Sequence, residues 1–154
     1  MKIFKSQKGF TLIELMVVIL IIAILGALGL VSFSQANRSA RDGKRRADIE
    51  AVRQALLLRK QEVGSYYNLT GTTAANFNST TANLLSGGYL SAPVPLDPRN
   101  VSPLVYTMSG TSNATTDTFC ICADVENDTG NSSNTSCSFV GTPNTGTHYC
   151  ARQP

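Results

Sequence analysis

The sequence predicts an α+β fold. A long N-terminal α-helix, apolar and membrane-length in its first half, packs in its second half against a small antiparallel β-sheet head. Three observations predict it. No proline interrupts Phe10–Val63, so one helix can run through that stretch. Leu15–Asn37 holds no charged residue, and Leu15–Val31 is nearly all Leu, Ile, Val, Ala, Met and Gly, enough for the roughly 20 residues of a membrane span. Phe119, Ile121, Ala123 and Val125 alternate with Cys120, Cys122 and Asp124, the period of a half-buried strand.

In order along the chain, residues 1–9 form a short basic leader with Lys2, Lys5 and Lys8, ending at Gly9. Residues 10–33 are the apolar helix, and residues 34–62 are its amphipathic continuation. Ile49, Val52, Leu56 and Val63 fall on one helical face, widened by Ala51, Ala55 and Leu58, while Asp48, Glu50, Arg53, Arg59 and Lys60 lie mostly opposite. Gly64 is placed to end the helix in the left-handed region. A helix of this extent measures on the order of 80 Å, far more than a bilayer needs. Gly26, Gly29 and Gly43 each cost it about 0.8–1 kcal/mol relative to alanine, and Gly26 and Gly29 are read as close-packing positions.

Residues 63–154 form the head. Ser65–Asn100 reads as a connecting region, with a short helix at Thr80–Leu85 broken by Gly87-Gly88, then the turn-rich Pro93-x-Pro95-x-Asp97-Pro98. Three or four strands are expected, at Leu104–Met108, Phe119–Val125, Ser136–Val140 and Thr147–Ala151. Asn127–Thr135 reads as an exposed polar loop, and Asp124, Glu126 and Asp128 as solvated edge charges. The four cysteines, Cys120, Cys122, Cys137 and Cys150, come late and in even number, the pattern of disulfides formed outside a reducing compartment. Cys120 and Cys122 point to one face of a strand and are poorly placed to bridge each other. Each therefore joins Cys137 or Cys150, and both such pairings stay open. Zinc fits poorly, because Cys-x-Cys lacks the usual two-to-four-residue spacing.

Charge narrows the function. Thirteen basic and ten acidic side chains become ten against ten without the leader, so no global positive field invites nucleic acid. Positive charge flanks the apolar run on both sides, with Arg38, Arg41, Lys44, Arg45 and Arg46 following it. Loop charge alone therefore leaves membrane orientation undecided, and the cysteines place the head outside the cytoplasm. Glu14 is the other outlier. A carboxylate at the head of an apolar helix costs roughly 2.5–3.5 kcal/mol at mid-membrane, and a packed apolar interior penalises it unless it is paired.

Gly9-Phe10-Thr11-Leu12-Ile13-Glu14 resembles the processing site of type IV prepilins and of the pseudopilins of type II secretion. The likeness is tight over Lys8–Glu14 and general beyond the helix. It implies cleavage between Gly9 and Phe10 by a prepilin peptidase, N-methylation of Phe10, and an assembly role for Glu14. The new Phe10 amine is a cation four residues from Glu14, and pairing Glu14 with the amine of a neighbouring copy removes two penalties and fixes stagger. A solvated Glu14 at the headgroup level is the competing reading. The proline that many type IV pilins carry in the apolar helix is absent here.

The same resemblance implies a homopolymer, an assembly ATPase with a membrane platform, a single pass through the cytoplasmic membrane before assembly, and an extracellular filament afterwards. A type II secretion pseudopilin is the main alternative. The four cysteines favour the pilus; a DNA-binding minor or competence pilin lacks a basic tip. Related pseudopilins use a loop calcium, yet Asp97 before Pro98 reads more simply as an Asx turn. No catalytic constellation, metal triad or cofactor motif stands out, and a His148–Cys150 pair has no orienting partner. Asn-x-Ser/Thr triplets begin at Asn37, Asn68, Asn78, Asn100, Asn113, Asn127, Asn131 and Asn134, most of them attributable to composition and weak as glycosylation signals.

Overall fold

The computed structural model describes residues 9–67, 69–112, 117–137 and 146–153. The leader before Gly9, Asn68, Asn113 and the part of the expected Ser136–Val140 strand beyond Cys137 lie outside these residues. The chain divides into two compact units, Met1–Asn37 and Arg38–Pro154. The element order is α1 (Leu12–Val63), β1 (Leu69–Thr73), α2 (Ala74–Ser86), β2 (Thr107–Ser112), β3 (Asp117–Asp124) and β4 (His148–Arg152).

In the first unit, α1 is one continuous apolar helix, and among the described residues nothing covers it from Leu12 to Leu25. Its large apolar side chains from Leu12 to Leu25 are each 49% exposed or more. A helix that is apolar all round belongs in lipid or in a bundle, and among the described residues this is the one helix long and apolar enough to cross a membrane.

In the second unit the four strands form an antiparallel sheet in the order β1-β2-β3-β4. The core gathers Ile49, Val52, Ala55 and Leu56 of α1, Phe77 and Leu84 of α2, Met108 of β2, Phe119, Ile121 and Ala123 of β3 and Ala151 of β4, with Tyr66 and Tyr106. Phe119 meets Tyr66 edge-on at 4.7 Å, and Phe77 meets Tyr106 at 5.0 Å. Gly64 ends α1 at φ +84°, its amide donating to Lys60 O at 2.8 Å.

Several expectations shift. Ala51, Leu58 and Val63 are exposed rather than buried. The covered stripe of α1 instead runs Asp42, Arg45, Ile49, Val52, Leu56, a 3-4-3-4 spacing extended towards the N-terminus by two charged residues. The short helix grows to Ala74–Ser86, because Thr73 caps it by accepting from Asn76 N at 3.1 Å and Phe77, Thr80, Thr81 and Leu84 form a buried stripe. Its Asn, Ser and Thr content hid that stripe, since these residues favour turns in isolation. β1 went unforeseen inside the connecting region. β2 begins at Thr107 rather than Leu104, which forms an isolated bridge to Val101.

The Asn127–Thr135 segment is not a freely exposed loop. Ser132 is fully buried, and bridges pair Gly130 with Gly146 and Ser132 with His148. Both glycines are required by that approach: a Cβ on Gly130 would collide with the His148 carbonyl, and one on Gly146 with Ser132.

Candidate functional site

Gly9, Phe10 and Thr11 precede the helix in non-helical backbone, and Phe10 is 92% exposed. The Gly9–Phe10 peptide bond thus lies ahead of α1, outside its regular hydrogen bonding. Thr11 is the N-cap of α1 and Glu14 its third residue. The Glu14 amide donates to Thr11 Oγ1 at 3.3 Å; Thr11 N and Thr11 Oγ1 donate to Glu14 Oε2 at 2.8 and 2.9 Å. This is a reciprocal capping box. Thr11-x-x-Glu14 spells the motif in sequence, a signal separate from the charge of Glu14.

The box matters for the chemistry. The helix N-terminus carries partial positive charge that favours Glu14 and disfavours a cation beside it. A free amine on Phe10 would sit at that end, which raises the demand for an anion. A carboxylate offers about four lone-pair positions, so the two Thr11 donors do not exhaust Glu14. It can hold the helix start and still accept from a third group.

Residues 4–30 match the family model described as the prokaryotic N-terminal methylation motif. This segment is the class III signal of type IV pilins and pseudopilins. No curated protein and no solved structure matches the chain significantly. The match covers this N-terminal segment alone; it supports a pilin-like or pseudopilin precursor, and with the apolar helix it fits membrane anchoring before assembly.

Arg45 anchors a second site, in the head, and its side chain is fully buried. Its Nε and Nη2 grip Asp97 at 2.6 and 3.1 Å, and its Nη1 donates to Asp42 at 2.7 Å and Glu126 at 2.8 Å. Arg41 clamps Glu126 from outside at 2.7 and 2.6 Å. Asp42 also accepts from Glu126 N and from Asn127 Nδ2. Three carboxylates therefore face two guanidinium groups, with Arg99 at 4.0 Å from Glu126. Burial opposes the charge on Arg45, but the bonds from Asp97, Glu126 and Asp42 outweigh it and hold its pKa above the ordinary arginine value. The Arg41 bond, against some burial and with help from Arg45, lowers Glu126 to about 2. Burial likewise works against ionised Asp97, but Arg45 and the Arg99 and Asn100 amides pull its pKa down.

This cluster corrects one expectation: Glu126 is not a solvated edge charge but part of a buried network around Arg45. Asp97 does form the expected Asx turn, accepting from Arg99 N at 2.8 Å and Asn100 N at 3.2 Å. Its remaining valence goes to Arg45. Asp124 is also no solvated charge: it is half-buried and meets His148 Nε2 at 2.6 Å, its pKa raised by burial against the pull of His148.

Of the two open disulfide pairings, the structure has Cys120–Cys137 and Cys122–Cys150. Cys122 and Cys150 stand directly opposite each other on β3 and β4. The four sulfurs lie within 4.8 Å of one another, but as two disulfides they present no thiolate to a metal. Cys150 is bonded to Cys122, and the His148 ring lies against Asp124 and Thr147, so the two do not form a nucleophile–base pair.

Proposed function

We propose that this chain is a structural subunit of a type IV pilus. A prepilin peptidase cuts between Gly9 and Phe10, Phe10 is N-methylated, and the apolar half of α1 leaves the lipid for a bundle of identical helices. Glu14 accepts the Phe10 amine of a neighbouring copy and sets the axial stagger. An assembly ATPase and membrane platform drive the transfer, and the sheet-bearing head forms the exterior. The reading gives the chain no catalytic role.

One observation carries this reading. A carboxylate, already tied to its own helix start, heads an apolar helix whose side chains from Leu12 to Leu25 all lack cover. Complete transfer of each such side chain from water is worth about 1.5–3 kcal/mol, so the segment requires lipid or copies of itself. The major pseudopilin of a type II secretion system shares the N-terminal signal. Pseudopilins of that kind usually do without a C-terminal cysteine staple, so the paired disulfides of the head favour the surface filament.

The capping box supplies a sharp test. Glutamine can also close a capping box but carries no charge. Glu14→Gln should insert and be processed normally, yet give few or disordered filaments by electron microscopy. Wild-type filaments from Glu14→Gln would reduce Glu14 to a helix cap and refute the intersubunit ion pair.

A further inference from the structure

The geometry points to Asn134 as an acceptor for an N-linked glycan. Eight of the chain's eleven asparagines begin an Asn-x-Ser/Thr triplet. Even at the one-third Ser and Thr content of residues 100–147, chance would start about four. Four of these positions are spoiled by their surroundings. Asn127 and Asn131 spend their amides inside the head, on Asp42 and on the Cys150 backbone. Asn78 lies within α2, which buries the Thr80 hydroxyl of its triplet. The Asn100 triplet runs straight into Pro103, which restricts Ser102.

Asn134-Thr135-Ser136 differs on each count. Asn134 is exposed and lies outside helix and strand. Its Oδ1 accepts from Ser136 N at 2.9 Å, an Asx turn that folds the third residue of the triplet back over the carboxamide. Among the described residues, Asn134 Nδ2 has no hydrogen-bond partner. The backbone beneath is fixed, with Asn134 O accepting from Ser132 Oγ at 2.7 Å and the Cys120–Cys137 bridge closing just after the triplet. The free nitrogen thus projects from a rigid platform.

An amide nitrogen is a poor nucleophile because its lone pair is shared with the carbonyl. A backbone donor on Oδ1, from the hydroxyl-bearing third residue of the triplet, marks the side chain for an enzyme that breaks that conjugation. The glycan donor is a polyisoprenoid diphosphate-linked oligosaccharide, presented by a membrane transferase on the exported side. The bond from Nδ2 to the anomeric carbon forms as the bond from that carbon to the diphosphate oxygen breaks. The lipid diphosphate leaves with the electron pair, and one Nδ2 proton passes to a base of the transferase.

This inference rests on export of the head, and its test separates the two. The chain is isolated from its native cells, and its peptides are mapped by mass spectrometry without reduction. The Asn134 peptide should carry a sugar mass that disappears in Asn134→Gln and in Ser136→Ala, persists in Ser136→Thr, and accompanies two intact disulfides. An unmodified Asn134 peptide with all four cysteines oxidised overturns the acceptor and leaves export standing. Free thiols throughout overturn export and the acceptor together. Sugar that survives Asn134→Gln, or that resides on another asparagine while Asn134 is bare, also overturns it.

Discussion

Arg45→Met removes a guanidinium from the centre of three carboxylates while keeping much of its stem. Asp97 then loses both of its bonds to Arg45, at 2.6 and 3.1 Å, and Asp42 and Glu126 each lose one. Arg41 remains on the outer side of Glu126, with the Arg99 guanidinium at 4.0 Å. Breaking a buried pair by deleting one partner costs about 3–5 kcal/mol, because the other charge is left uncompensated. With a urea slope of about 1–2 kcal/mol/M for a head of this size, the unfolding midpoint should fall by about 1.5–5 M.

The assay is urea unfolding of the full chain in detergent, followed by circular dichroism. The loss should also shrink on acidification. In the variant, buried carboxylates without their cation have folded pKa values above their unfolded ones, so stability lost at pH 7 returns as pH falls towards 5. A midpoint within 0.5 M of wild type, or a deficit unchanged between pH 7 and 5, would refute the claim that Arg45 holds the head together.

The wild-type chain should behave oppositely in acid. The folded-state pKa of Glu126 is depressed from 4.5 to about 2, so its contribution is complete above pH 4.5 and is lost as pH falls towards 2. After discounting for solvent at the rim of the cluster, that contribution is about 1–3 kcal/mol, measurable as a falling urea midpoint across this window. Cys122→Ser with Cys150→Ser removes the direct β3–β4 bridge and should cost about 2–4 kcal/mol, with the midpoint in oxidising buffer as readout; an unchanged midpoint counts against a stapling role. Intact mass of assembled material should give a chain that starts at methylated Phe10, and a chain that retains Met1–Gly9 would contradict processing.

Local signals account for what was legible in advance. The charge-free run of Leu15–Asn37, the Gly9–Glu14 hexad, the alternation along β3 and the late cysteines are patterns within a few residues, and each maps onto one element. Thr11-x-x-Glu14 is equally local, a capping signal carried by two residues three apart.

What remained hidden depends on partners far away in sequence. Arg45 reads as one more cation after the span, because Asp97 and Glu126 lie 52 and 81 residues further on. A buried charged stripe on a helix also looks polar until its counter-ions are folded over it, which is why the apolar face of α1 was drawn too far towards Val63. The choice between disulfide pairings rested on strand register, since only the β3–β4 ladder sets Cys122 opposite Cys150. The sequence by itself determined the anchor, its processing signal and the α+β class, because hydropathy and helix capping act between near neighbours. Tertiary structure decided the ion cluster, the disulfide partners and the setting of Asn134, because those energies arise only when distant segments share one desolvated space.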